Sequence, residues 1–384
     1  MNKKRSILII TSWYPQNETD FSGIFIKERV DILKDKFNLI VVHPTVDYSS
    51  FKPFFAFTVQ RNEESNVPII RIGVKRSFPV YNQWNFFVTA KQAIKRELQG
   101  KKIDLIHCHV AYPAGILGMM LAKDFKVPYV ITEHYGGFVG LFRSAIHKFL
   151  ILRAIRKATY LSTVSEFSAR IIKKYTTAPI EIIPNPIDVT KFRLKKEHRK
   201  SDGTIVAGFL GGLDSDVKGL DVLLVALSIL KPARLKVKIG GGGRLLENYK
   251  ALAKKLNVEK YCNFLGAIPA EERFEFFADL DFFVLSSRRE SFGVVLLEAM
   301  ASGVPVLATR CGGPEEIVDR ETGILVENEN AQALAGGLEK MMKMYMRFDP
   351  FRIRTRVEER FGKDVFLKKT EEFYNKATER NVKK

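Results

Sequence analysis

Short apolar runs alternate with longer stretches of mixed polarity along most of the chain. Residues 6–12 (SILIITS), 38–42 (NLIVV), 68–72, 103–108 and 128–132 are compact, β-favouring runs, and between them residues 86–98, 114–124 and 142–157 have helical character. The alternation continues through 159–163, 165–175 and 180–184. It restarts with a strand at 204–210, a helix at 220–230 and a strand at 235–239. Strands that are apolar throughout are buried on both faces, and regular strand–helix alternation predicts parallel sheets covered by helices on both sides. The segment 193–203 (RLKKEHRKSDG) is charged and aperiodic, so it is expected to link two domains. No apolar run reaches the length of a membrane span. Lys3-Lys4-Arg5 before Ile7 to Ile10 imitates a signal peptide, but the apolar part is too short and reads better as the first buried strand.

Composition adds two things. A chain of 384 residues has room for two domains with separate cores, and Cys108, Cys262 and Cys311 lie too far apart for a disulfide framework or a metal-ligand spacing, which points to a reducing compartment. The net charge of +19 is lopsided. Residues 1–200 hold 33 Lys and Arg against 16 Asp and Glu, or +17, leaving +2 for the rest. A basic half invites an anionic surface, and the absence of any nucleic-acid-binding motif turns that expectation toward a membrane. Leu141 to Lys157 (LFRSAIHKFLILRAIRK) reads either as a basic amphipathic helix lying on an anionic bilayer or as a helix with its apolar face in the core; the phenylalanine-rich Phe51 to Phe57 favours the first.

In parallel α/β sheets, ligands gather at the carboxyl ends of strands, and several reactive residue types fall there. The run Phe282 to Leu285 leads through Ser286-Ser287-Arg288-Arg289-Glu290 into an apolar helix, with Ser291 and Gly293 expected where that helix opens and can receive an anion. Glu298 is the only ionisable residue between Glu290 and Arg310. A buried carboxylate needs a partner, which is either a ligand hydroxyl or an internal arginine. Eight residues of helical rise would set Glu290 and Glu298 roughly 12 Å apart. Gly211-Gly212-Leu213 with Lys218-Gly219, and Gly240 to Gly243, both follow strands and are expected to cradle phosphate. Gly23 ends the loop after the first strand, and His109 and His134 stand at the carboxyl ends of two further strands. Asp214-Ser215-Asp216 and Asp279-Leu280-Asp281 have the composition of metal ligands, but neither is expected to hold one, the first because Lys218 already supplies a cation, the second because it precedes its strand.

Glu290-Ser291-Phe292-Gly293, Glu298-Ala299, Gly303-Val304-Pro305-Val306 and Gly312-Gly313 together resemble the Glu-x7-Glu signature of glycosyltransferase family 4, the retaining GT-B enzymes. Val164-Ser165 and Pro184-Asn185-Pro186-Ile187-Asp188 are similar to further landmarks of that family. The resemblance implies two Rossmann-like domains facing across a cleft: residues 1–192 for the acceptor, a linker at 193–203, residues 204–360 for a nucleotide-diphosphate sugar, and a helix at 361–384 returning to the first domain. It implies sugar transfer to the hydroxyl of a carbohydrate or lipid-linked acceptor with retention of configuration, in polysaccharide or glycolipid synthesis, with no cofactor and no metal. The expected setting is the cytoplasm, at the inner membrane face. By the same resemblance, Glu290 contacts the transferred sugar, Glu298 the ribose, His134 the donor near the reacting carbon and Lys218 the diphosphate. Gly23, His109, Ser291, Phe292 and Gly293 line the substrates. The pattern departs from the family at Gly212, where relatives carry arginine, and Arg244 is the expected substitute. A phosphorylase or epimerase on the same fold, and a non-catalytic binder of anionic polymer or membrane, are the alternative readings.

Overall fold

The computed structural model describes residues 4–16, 22–52, 54–78, 81–134, 136–195 and 203–382. Two compact units emerge, one built from residues 1–184 with 366–384 and the other from residues 185–365.

The first unit holds eight strands: β1 (Ser6–Thr11), β2 (Asn38–Phe51), β3 (Phe57–Glu64), β4 (Val67–Arg76), β5 (Leu105–His109), β6 (Tyr129–Glu133), β7 (Tyr160–Thr163) and β8 (Ile180–Ile182), ordered β3-β4-β2-β1-β5-β6-β7-β8. All neighbours pair parallel except β3 and β4. This antiparallel edge hairpin is absent from the sequence reading, because β3 (FTVQRNEE) is mostly exposed and has no apolar run to announce it. Each face of the sheet carries its own core. Ile10, Val42, Ile72, Ile106, Leu117 and Ile151 are among the residues filling one, and Ile9, Val30, Val41 and Leu105 meet Phe373 and Tyr374 in the other.

The second unit holds β9 (Ile205–Leu210), β10 (Leu235–Gly240), β11 (Cys262–Gly266), β12 (Phe282–Leu285), β13 (Val306–Thr309) and β14 (Gly323–Val326), all parallel, in the order β11-β10-β9-β12-β13-β14. In both sheets the strand order reverses beside the first strand of the unit. The crevice where ligands collect in such sheets therefore lies between β1 and β5 in one unit and between β9 and β12 in the other.

The compact units divide earlier than the expected 192. Residues 185–195 pack on the second unit: Arg354 donates to the carbonyls of Phe192 and Val189, and the buried Lys195 ammonium reaches Asp281 at 2.9 Å and the Leu280 carbonyl at 2.6 Å. Of the expected linker, residues 196–202 lie outside the described residues. The last helix runs Lys363–Val382, and from Phe366 onward it belongs to the first unit. The expected helix from Leu141 begins only at Ala145, where Ser144 caps it by accepting from the His147 amide.

Candidate active site

At the crevice of the second unit, the loop after β12 meets the loop after β9. Lys218 Nζ lies 2.6 Å from Glu290 Oε1, and Ser287 donates its hydroxyl to the same oxygen at 2.8 Å. The main chain of Glu290 is fixed from both sides: its amide donates to the Cys311 carbonyl, and the Gly313 amide donates to its carbonyl. Gly219 is needed here for a close approach. Its φ is +63°, in the left-handed region that other residues rarely adopt, and a β-carbon would stand 2.0 Å from the Ser286 carbonyl oxygen. Arg288, in contrast, is occupied, its guanidinium bonded to both carboxylate oxygens of Asp221 at 2.9 and 2.6 Å.

The helix after this loop runs Val294–Ala301 with Gly293 as its cap, at φ 106°. Ser291 therefore precedes the helix instead of opening it, and the 12 Å helical spacing between Glu290 and Glu298 does not apply across residues 290–293. Phe292 is only 2% exposed, with its ring edge-on to Phe361 at 5.5 Å, so its side chain serves packing and only its backbone faces the loop. Glu298 is buried and takes a hydrogen bond from Arg273 at 3.2 Å. Burial raises its pKa, and Arg273 pulls the other way. The internal arginine named as the alternative to a ligand hydroxyl is thus present.

The two glycine turns are a second correction. The amides of Gly211 and Leu213 donate to the carbonyls of Gly240 and Gly242, and the Gly241 amide donates to Gly266. A β-carbon at Gly241 would lie 2.1 Å from the Gly211 oxygen, and one at Gly243 2.4 Å from the Leu213 carbonyl carbon. These glycines let the loops press against each other, and several of the amides expected to cradle phosphate are already used. Arg244 is exposed and leans on the Asp214 loop, with Nε donating to the Asp214 carbonyl at 2.6 Å and its amide to the Asp214 carboxylate at 3.1 Å. At Gly212 an added β-carbon would meet nothing within 4 Å.

In the first unit the crevice gathers histidines. His107 and His109 lie two apart on β5 and so share a face, with ring centroids 4.2 Å apart. His107 Nδ1 meets the Tyr374 hydroxyl and Nε2 meets Thr132 Oγ1, both at 2.7 Å, and Thr132 passes the chain on to Ser162. His109 Nδ1 lies 2.9 Å from His134 Nε2, while His109 Nε2 and His134 Nδ1 are buried without a hydrogen-bond partner. Since one ring must donate across the shared contact, the neutral pair presents one N–H and one bare lone pair whichever tautomer holds. Burial, first, and the Arg29 cation hold all three histidines well below the usual imidazole range, His107 to about 3. Glu133 fixes the neighbouring backbone, accepting from the amides of Ala111 and His134 at 2.9 Å. Gly23 caps the helix Ile24–Leu33 at φ 77°, where a β-carbon would strike the Trp13 carbonyl at 2.4 Å.

The sequence reading missed Ser287, Arg273, His107, Arg29 and Tyr374. His107 could have been found from the two-residue period of His-Cys-His on a strand. The rest are set by contacts between residues distant in sequence.

Two parallel-sheet α/β units, each with its loops gathered at a switch point, define the GT-B fold. Solved structures agree. Sucrose-phosphate synthase from Thermosynechococcus elongatus superposes with a TM-score of 0.81 over 97% of this chain and 98% of that one at 19% identity, and HepE of Anabaena, solved with UDP, with 0.73 over 97% and 99% at 18%. The family model of glycosyl transferases group 1 matches residues 190–358, and that of glycosyltransferase family 4 matches residues 51–191. Over 360 residues the chain is 26% identical to TuaC of Bacillus subtilis, a glycosyltransferase named for teichuronic acid biosynthesis, covering 87% of this chain and 88% of the relative. The chain belongs to glycosyltransferase family 4 and is a nucleotide-sugar glycosyltransferase.

Proposed function

We propose that the enzyme moves a sugar from a nucleotide-diphosphate donor to an acceptor hydroxyl with retention and without a metal, in polysaccharide or glycolipid synthesis. The observation that carries this reading is the Lys218–Ser287–Glu290 cluster at the crevice of the second unit. The Glu290 carboxylate, on a main chain anchored from both sides, is placed to accept from sugar hydroxyls, and the ammonium beside it to meet the departing diphosphate. The bond from the anomeric carbon to phosphate oxygen breaks, the bond to the acceptor oxygen forms on the same face, and the acceptor proton leaves with the phosphate. Glu298 would reach the ribose by exchanging its Arg273 partner. The His109–His134 pair, neutral and offering one donor and one acceptor, suits an uncharged hydroxylated group better than an anion. Three of the four aspartates of the Asp-x-Asp triplets have other partners, since Asp214 accepts from the Arg244 amide, Asp279 pairs with Lys238 and Asp281 with Lys195.

A carbohydrate or lipid-linked acceptor fits the name of the Bacillus relative, and UDP in HepE makes UDP-sugars the first donors to try. The charge of +17 over residues 1–200 supports work at an anionic membrane face. No helix among the described residues is long and apolar enough to cross a membrane. Incubation with a panel of nucleotide-sugars in the presence of a chelator tests the reading: slow donor hydrolysis with retained anomeric configuration is expected. Epimer formation without an acceptor, or loss of all turnover on chelation, would overturn it.

A further inference from the structure

The first unit carries a surface that the transfer chemistry does not use. Phe51, Phe54, Phe55, Phe78, Tyr81 and Trp84 are each 39–54% exposed. They form one connected set of rings, with Phe51 on Phe78 at 5.1 Å, Phe54 on Phe78, Tyr81 and Trp84 at 6.0, 6.1 and 6.5 Å, and Phe55 on Trp84 at 5.9 Å. Contiguous apolar patches are uncommon on soluble proteins unless something covers them. Phenylalanine beside tyrosine and tryptophan, each of the latter with an apolar body and a polar tip, is the composition found where protein meets lipid head groups.

The charges around the rings indicate the occupant. Lys52 and Arg76, joined by a backbone hydrogen bond of 2.9 Å, are exposed and make no ion pair among the described residues. Asp47, the acidic residue nearest in sequence to Phe51, is already held by Lys75 at 2.6 Å. Glu63 and Glu64 stand at the far turn of the β3–β4 hairpin, roughly 20 Å along the strand. On the other side, the Tyr112 ring meets Phe87 of the helix Asn82–Glu97 at 6.0 Å and His147 at 5.2 Å, so it links that helix to Ala145–Lys157, which adds the exposed Lys148. Neighbouring cations without carboxylates complement an anionic surface.

We propose that this aromatic and basic face docks on an anionic lipid bilayer, the rings entering the head-group layer and Lys52 and Arg76 meeting lipid phosphates. The proposal rests on the membrane-face reading above and gives it a location. The contact lies at the end of β2 and the start of the helix Asn82–Glu97 instead of along Ala145–Lys157, whose Ile151, Ala154 and Ile155 are committed to the core.

Trp13 and Trp84 are the only tryptophans, so the surface carries its own probe. In a Trp13→Phe variant, phosphatidylcholine vesicles containing phosphatidylglycerol should blue-shift Trp84 emission, brominated acyl chains should quench it, and high salt should weaken both effects. Replacing Phe54 and Tyr81 together by serine should lower vesicle partition at least about tenfold, because both rings lose the apolar surface they would bury in the head-group layer, with the melting temperature held. An Ile146→Ser, Phe149→Ser variant should partition like the parent. If the unaltered enzyme ignores anionic vesicles at low salt, both the membrane reading and this surface fail. If it binds and the Phe54/Tyr81 variant binds equally well, the surface alone fails. A dimer that the Phe54/Tyr81 variant dissolves, without vesicle binding, would assign the face to a second copy of the chain and overturn the proposal.

Discussion

Three buried neutral histidines make the first unit sensitive to acid. The unfolded chain takes up their protons near pH 6.5, whereas the folded chain resists until far lower pH. The unfolded state therefore binds more protons in that window, and stability is complete above about pH 6.5 and declines as pH falls, by up to about 1.4 kcal/mol per pH unit for each histidine. Denaturant melts from pH 7 to 4 should show this slope, and His107→Gln should flatten it. The paired carboxylates give a kinetic prediction. Glu290→Gln should lower turnover and Glu298→Gln should weaken nucleotide binding; equal loss of nucleotide affinity in both would contradict the roles proposed. Removing the other partner, Arg273→Met, leaves a buried carboxylate unpaired and should destabilise the protein by about 3 kcal/mol, an effect that the added Glu298→Gln change should partly reverse. Gly212 is a testable departure, because nothing obstructs a side chain there. Gly212→Arg should strengthen donor binding by about tenfold, the worth of one charge-assisted hydrogen bond. Arg244→Ala should weaken it by a similar factor if Arg244 stands in for the missing cation, and Lys218→Ala should do more damage than either.

At the scale of elements, apolar strands were the most legible features. The strand at 282–285 and the helix at 220–230 stand where the pattern put them, because a buried parallel strand or an apolar helix has no other way to hide those side chains. The edge strand β3 left no such trace, and neither did the irregular turn after β5, where Val110 sits at φ 76° and its amide bonds the Thr132 carbonyl. That turn is held by its neighbours and not by its own sequence. The site was legible as a set of residue types at strand ends. Its pairings were not, since Lys218 and Glu290, or Glu298 and Arg273, come together only when separate loops and helices pack. The last helix repeats the lesson: Tyr374 carries no catalytic signature, yet it seals the core and holds His107. Phe373→Ala should cost about 3–5 kcal/mol, and Tyr374→Phe about 1–3 kcal/mol through the unsatisfied imidazole nitrogen; urea melts would measure both.

For the whole molecule, the chain leaves the first unit after Pro184 and rejoins it at Phe366. Arg29, 1% exposed, clasps both points, donating to the carbonyls of Ile183 and Pro184 and lying over the Phe366 ring at 5.0 Å. On the other side of the crossing, the Ile187 amide bonds the Phe361 carbonyl at 2.9 Å. The second unit is thus an insertion whose two ends are neighbours. During synthesis the first unit must wait for the whole of residues 185–365 before its closing helix leaves the ribosome, on the order of 10–40 s at ordinary elongation rates. Until then Arg29 lacks its aromatic cover, His107 lacks its tyrosine, and one face of the first sheet stays open to chaperones, while the second unit, contiguous in sequence, is free to fold ahead of the domain that began first.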